Sequence, residues 1–300
     1  MAITSNCARF LFYARKHGAS FENALMLGRM LLYATKEDLK AHAGVNDIST
    51  KAIDELVFKD EYSEPLFKLL GAKEVNSLDF SDYEGASIIH DLNKPIPEAL
   101  HNKFSVVFDG GTIEHVFNFP VCIENCMKLL KPGGHFIGIT PCNNLMGHGF
   151  YQYSPELFYR VFSEENGFRV KKMFVAANTP EGTIEDWYEV SDPKAIKERV
   201  VLVNNTPTYI LVLAEKTGSF GAFKEMPHQS DYVSTWINSG SEQVQGTSTE
   251  SKAKQNYRKL LPKRLRIFLR NVYDLFYKEK IVTRDLGNID AKHFRKFDEK

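Results

Sequence analysis

The segment Pro141-Cys-Asn-Asn-Leu-Met-Gly-His-Gly-Phe-Tyr-Gln-Tyr153 holds a histidine between two glycines, with two tyrosines, a glutamine and two asparagines close by. An imidazole titrates near neutral pH, so His148 is the strongest candidate for a general base. Tyr151 and Tyr153 offer an apolar ring with a polar tip, suited to the wall of a pocket. Upstream, Asp109-Gly-Gly-Thr-Ile-Glu-His115 adds Glu114 and His115 within one short stretch. Cys122 and Cys126 are four residues apart, but no further Cys/His cluster completes a tetrahedral site near them. They read as buried apolar thiols, and no metal is expected. Cys142 has no readable Cys–His arrangement. The phosphate cradles GxxxxGK[ST] and GxGxxG are both missing, which removes the P-loop and dinucleotide readings.

These residues need elements to position them. Ala24–Leu27, ended by Gly28, is a short apolar run that reads as a buried strand. Glu74–Asp79, Ser87–Asp91, Phe104–Asp109 and His135–Thr140 read as further strands, and Phe168–Ala176 and Thr208–Ala214 as two final ones. Helical patterns fall at 5–17, 117–130 and 155–164, and Ser63-Glu64-Pro65 opens another helix that stops at Gly71. Lys131-Pro-Gly-Gly134 is a strong stop and turn. Strands alternating with helices predict an open, mostly parallel α/β sheet, which binds ligands beyond the carboxyl ends of its strands. Those ends carry Gly28-Arg29, Asp79, Asp91-Leu92, Asp109-Gly110-Gly111 and the 141–148 segment. Acids and glycines there suit a cofactor with hydroxyls and a close backbone approach.

Composition narrows the class. With 43% hydrophobic and 25% charged residues in 300, the chain can bury a sizeable core and is not wholly disordered. No apolar run approaches the roughly 20 residues of a membrane-spanning helix. Met1 to Arg15 has no basic-then-apolar secretory pattern. Four cysteines make no disulfide framework, so a reducing cytoplasm is expected. The formal net charge is zero, which disfavours a nucleic-acid partner, yet residues 251–300 hold fifteen Lys/Arg against six acids. From Lys216 to 251 Gly, Ser, Thr, Gln and Asn displace any periodicity, the mark of a linker. After it Tyr257–Lys278 places apolar residues at threes and fours among basic ones, predicting a helix. Docked helix, acidic-partner contact and peripheral contact with an anionic inner membrane surface are its three possible uses.

The stretch Phe104–Asn118 with Glu114-His-Val116, followed by Leu130-Lys-Pro-Gly-Gly134 and Phe136–Pro141, resembles class I S-adenosylmethionine-dependent methyltransferases of the type 11-like group. The resemblance extends more loosely over about residues 23–215. It implies a Rossmann-like sheet, mostly parallel with the last strand antiparallel and helices on both faces. Residues 1–215 form the α/β domain, with a helical insertion at about 35–58 that serves as lid or as extra packing. Residues 216–251 are expected to be a flexible linker or long loop, and 252–300 a basic helical appendage. S-adenosylmethionine is the implied cofactor. Asp79 matches the position that accepts the ribose hydroxyls, with Asp82 a rival. Asp91 matches the partner of the adenine amino group, beside Leu92, and Asp109, Gly110 and Gly111 the loop near the methionine moiety. Glu114 is placed to reach the cofactor or cap the next helix. The expected acceptor is a polar small molecule or glycan methylated on oxygen or nitrogen, with His148 as its base or as a structural histidine, Tyr151 as pocket wall or ordinary aromatic, and His115 facing cofactor or acceptor or supporting the turn. One departure stands out: where the family has GxGxG, this chain has Leu27-Gly28-Arg29-Met30-Leu31. Arg29 either pairs with the cofactor carboxylate or, with Met30, fills the pocket, as in a catalytically inactive methyltransferase-like module.

Overall fold

The computed structural model describes residues 2–177, 186–218, 223–233, 265 and 290–298. Strand β1 (Ala2–Ile3) leads into helix α1 (Ser5–Lys16), whose Thr4 cap accepts the Cys7 amide and whose last turn carries Arg15 and Lys16 against the helix dipole. Strand β2 (Asn23–Leu27) comes next, then β3 (Leu31–Leu32), which pairs in parallel with β1 as a separate two-stranded sheet. Helices α2 (Lys36–Ala43), opened by a Thr35/Asp38 capping box, and α3 (Thr50–Asp54) make up the expected insertion. Leu39, Ala43, Ile48 and Ile53 are buried in the core shared with α1, so the insertion packs on the domain. Helix α4 (Glu64–Leu69) leads to β4 (Glu74–Asp79), β5 (Ile88–Ile89) and β6 (Phe104–Asp109).

Helix α5 (Phe119–Leu129) runs directly into β7 (Leu130–Asn143). The turn predicted at 131–134 is a bulge inside that strand. Phe104 pairs with Leu130 while Val106 pairs with His135, so the intervening residues bow out. Helix α6 (Pro155–Val161), β8 (Phe168–Ala177), β9 (Tyr188–Val190), α7 (Pro193–Ile196), β10 (Thr208–Lys216) and β11 (Phe294–Lys296) complete the chain order.

The main sheet has nine strands in the order β11-β9-β8-β10-β7-β6-β2-β4-β5. From β5 to β7 neighbours are parallel, and β10 runs antiparallel between β7 and β8. This is the expected Rossmann-like α/β sheet. Alternate residues feed two cores, as a period of two demands. Ala24, Met26, Val106, Phe108 and Ile137 face α1 and α4, while Leu25, Leu27, Val107 and Phe136 face α5 and α6. Fully burying each large apolar side chain contributes roughly 1.5–3 kcal/mol.

The far edge was not expected. β11 pairs antiparallel with β9, and Phe297 stacks on Trp187, whose indole N–H donates to Asn6 Oδ1 at 2.7 Å. The end of the basic segment is therefore part of the α/β domain. The helix predicted at 257–278 lies outside the described residues except for Leu265. Within the predicted linker, the Glu225 amide donates to Asn166 and the Ser230 amide to Glu156, so residues 223–233 also lie on the domain.

Lys216 closes the opposite end of the sheet. It is buried, and its ammonium donates to Asn102 Oδ1 at 2.9 Å, Met127 O at 2.9 Å and Leu130 O at 2.7 Å. Lys216→Met leaves those acceptors unpaired and should cost about 1–3 kcal/mol in urea unfolding. Burial also holds the ammonium pKa below its ordinary value. Between that lowered value and the unfolded one the unfolded chain binds more protons, so stability from this group rises with pH there. The variant should lose that alkaline rise.

Candidate functional site

The strand order reverses at β2, with β4 on one side and β6 on the other. Leu27 is in register with both Leu78 and Asp109, and Asp109 with Gly138, so the carboxyl ends form one rim. Such a switch point opens a crevice for ligand.

Asp109 builds the first part of that rim. Its Oδ1 accepts the amides of Thr112 (2.8 Å) and Ile113 (3.2 Å), starting the 3-10 turn Ile113–His115. The Thr112 hydroxyl donates to Leu27 O at 2.5 Å, tying the turn to the end of β2. Gly111 has φ +105°, and a Cβ there would lie 3.2 Å from Glu114 Oε1. Glycine therefore both permits the bend and leaves room for the carboxylate. Glu114 is fully buried, and its Oε2 accepts the Thr140 hydroxyl at 3.1 Å. Glu114 Oε1 and Asp109 Oδ2 are buried with no hydrogen-bond partner. Burial, and then the neighbouring Glu114, push the Asp109 carboxyl well above its ordinary range; burial pushes Glu114 up to about 7.

The segment after β7 folds back over this turn. The amides of Phe150 and Tyr151 donate to Glu114 O at 2.9 and 3.3 Å, and the Tyr153 hydroxyl donates to Ile113 O at 2.9 Å. At Gly149 a Cβ would lie 2.9 Å from Glu114 O and 3.2 Å from His115 Nδ1, so only glycine fits the crossing. The crossing brings His148 Nε2 to 3.4 Å from Glu114 Oε1 and the His148 ring to 5.3 Å from that of His115. Burial and the neighbouring His148 lower the His115 pKa. Three residues from two separate loops thus converge: Glu114 is buried, while His148 keeps a 41% exposed side chain.

The other expected site residues lie around this cluster in different states. Asp79 is half-buried at the end of β4, and its Oδ1 accepts the Phe80 amide at 2.6 Å. Asp91 holds a local turn, accepting from the Asn93 amide (3.0 Å) and side chain (2.9 Å), with Lys94 at 3.5 Å. These contacts, Asn93 foremost, lower its pKa. Leu92 is buried in the core with Leu25, Leu27 and Leu78, so its side chain is not offered to a ligand. The Tyr151 hydroxyl donates to Phe117 O at 2.6 Å, leaving its ring as wall. Glu114 does not cap α5; the cap residue there is Asn118.

The first loop differs most. Gly28 turns with φ +78° and its amide donates to Leu78 O at 2.7 Å. Arg29 Nε donates to Glu64 Oε1 at 2.6 Å and Nη1 to Glu84 O at 3.0 Å, over the Tyr62 ring. Its guanidinium is thus directed at this chain's own groups, not at an incoming carboxylate. Met30 is fully buried, and its sulfur lies 2.8 Å from where a Gly110 Cβ would be. The close approach that Gly110 allows is taken by Met30, the pocket-filling alternative read from the sequence.

No protein-family profile and no curated protein matches the chain. Solved structures do. A 1,6-didemethyltoxoflavin-N1-methyltransferase of Burkholderia thailandensis, holding S-adenosylhomocysteine, is 13% identical over 71% of this chain and 78% of its own, with TM-score 0.37. A branched-chain polyamine synthase of Thermus thermophilus with bound 5'-methylthioadenosine is 16% identical over 76% of this chain and 60% of its own, with TM-score 0.35. A candidate sarcosine dimethylglycine methyltransferase of Galdieria sulphuraria is 13% identical over 71% and 85%, with TM-score 0.41. No residue role passes from them to this chain.

The crossing at Gly149 gives a direct check on this geometry. Gly149→Ala should lower stability by about 1–3 kcal/mol, the usual cost of overpacking, read as a fall in melting temperature.

Proposed function

We propose that the chain is an S-adenosylmethionine-dependent methyltransferase acting on oxygen or nitrogen of a polar small molecule or glycan. The observation that carries this reading is the histidine–carboxylate contact of His148 and Glu114 at 3.4 Å. It lies on the rim that also bears the half-buried carboxylate of Asp79. When bound, the cofactor supplies an electrophilic methyl group. Asp79 would hold its ribose diol, since a carboxylate accepts two hydrogen bonds. The backbone of 91–93 would meet the adenine. The chain's part in the transfer is to orient the acceptor and receive its proton, and His148, whose Nε2 faces buried Glu114, would do so at its other ring nitrogen. The tilted rings of Phe119, Tyr151 and Tyr153 wall the same side.

Fit to the cofactor is uneven. At the adenosine end the half-buried Asp79, on the rim at the end of β4, supports the reading. The methionine end meets Met30, whose flexible unbranched side chain must swing away from Gly110. That occupancy, with Arg29 held by Glu64, favours a second reading: a methyltransferase-like module without catalysis.

Calorimetric titration of the full chain with S-adenosylhomocysteine separates the two. Binding is expected. Asp79→Ala should weaken it by about 1–3 kcal/mol, the scale of charged hydrogen bonds, and Met30→Ala should strengthen it. Absence of heat at millimolar ligand, with both the parent and the Met30→Ala protein folded, leaves only the second reading.

A further inference from the structure

We infer that Glu114, His115 and His148 form a site for a divalent transition-metal cation. One ligand atom from each residue lies within 4.8 Å of the other two, and Glu114 Oε1 stands 3.4 Å from His148 Nε2. Ligands at about 2.0–2.2 Å from a common ion sit roughly 3–4 Å apart, so small side-chain rotations close the set. Glu114 gives an independent sign. It is fully buried, Thr140 anchors its Oε2, and Oε1 faces the histidines with no hydrogen-bond donor. A buried carboxylate oxygen without a donor is costly and asks for a cation.

A second orphaned acid atom supports the same conclusion. Asp109 Oδ2 is also buried and unpartnered next to Glu114. Among the described residues no Lys or Arg pairs with either acid; the one basic contact is His148. Room is available as well. Gly111 and Gly149 withhold the Cβ atoms that would lie 3.2 Å from Glu114 Oε1 and from His115 Nδ1. Two imidazoles and one carboxylate, with no thiolate, suit zinc, iron, nickel or copper better than magnesium or calcium. Three protein ligands leave a coordination position open, and the exposed side of His148 gives access from solvent. A hydroxyl or water at that position would lose its proton more readily. With the cation present, the imidazoles are ligands rather than bases. Metal binding needs no methyl donor, so this inference stands apart from the transferase reading.

The test uses the full chain, stripped with a chelator, then titrated with zinc sulfate by calorimetry and with cobalt chloride by visible absorption. Binding of one equivalent at micromolar or lower zinc, with visible cobalt bands, is expected. His115→Ala and His148→Ala should each weaken zinc by at least about tenfold and bleach the cobalt bands, whereas His228→Ala should bind as the parent does. Glu114→Gln serves as a second ligand variant that preserves shape, with circular dichroism confirming the fold of each. Absence of binding at millimolar zinc overturns the inference, as does parent-like affinity in the His115 and His148 variants. Equal weakening by His228→Ala marks adventitious binding and overturns it too. S-adenosylhomocysteine binding by the stripped protein is read separately, so either idea can fail alone.

Discussion

The Glu114–His148 side of the rim depends on the two amides that Asp109 Oδ1 accepts. They fold the chain after β6 into a tight 3-10 turn rather than letting it run on, and that turn carries Glu114 inward. Thr112 then locks the turn to β2 through Leu27 O. The segment after β7 uses the same turn as its template, taking both its crossing amides to Glu114 O. Loss of the Asp109 cap would therefore release His148 as well as Glu114, although His148 lies on another loop. A buried acid that bonds local backbone amides offsets part of its own desolvation. The β6 end can hold Asp109 for structural reasons alone.

Much of the sheet was legible because its strands obey a simple period. Phe104–Asp109 was read with the bounds it has, and the strands from Ala24 and Glu74 within a residue. The Lys131–Gly134 turn was legible as chemistry but not as geometry. Backbone pairing on both flanks absorbed it as a bulge. What escaped was long-range. β9 has three residues, too few for a pattern, and its partner Phe294–Lys296 lies in a segment whose charge pointed outward. Arg295 and Lys296 are instead neutralised by Glu189 and Asp186 across the sheet edge.

At the site, residue types were legible and partners were not. His148, His115 and Glu114 were each singled out, but nothing in one dimension brings 148 beside 114. Gly149 was the available signal, because a glycine adjoining a candidate histidine can mark a backbone crossing. The first loop shows the opposite case. A single glycine in place of three was visible, and so were two alternatives for Arg29 and Met30, but not the partners that decide between them. Arg29 bridges α4 and the loop after β4, and Met30 fills the hollow over Gly110. From there the chain runs on as β3, alongside β1, rather than entering a helix at once.

Asp109 and Glu114 share one environment but differ in what the fold returns to them. Asp109 caps a turn, and its removal would undo local structure. Glu114 receives the Thr140 hydroxyl at Oε2, while its buried Oε1 has no hydrogen-bond donor and lies 3.4 Å from His148 Nε2. Its main-chain carbonyl, which holds the returning loop, would be present with any side chain. Structural need therefore accounts for the position but not for the carboxylate. A buried acid whose unpartnered oxygen faces an accessible imidazole is the arrangement on which the proposed cation site rests.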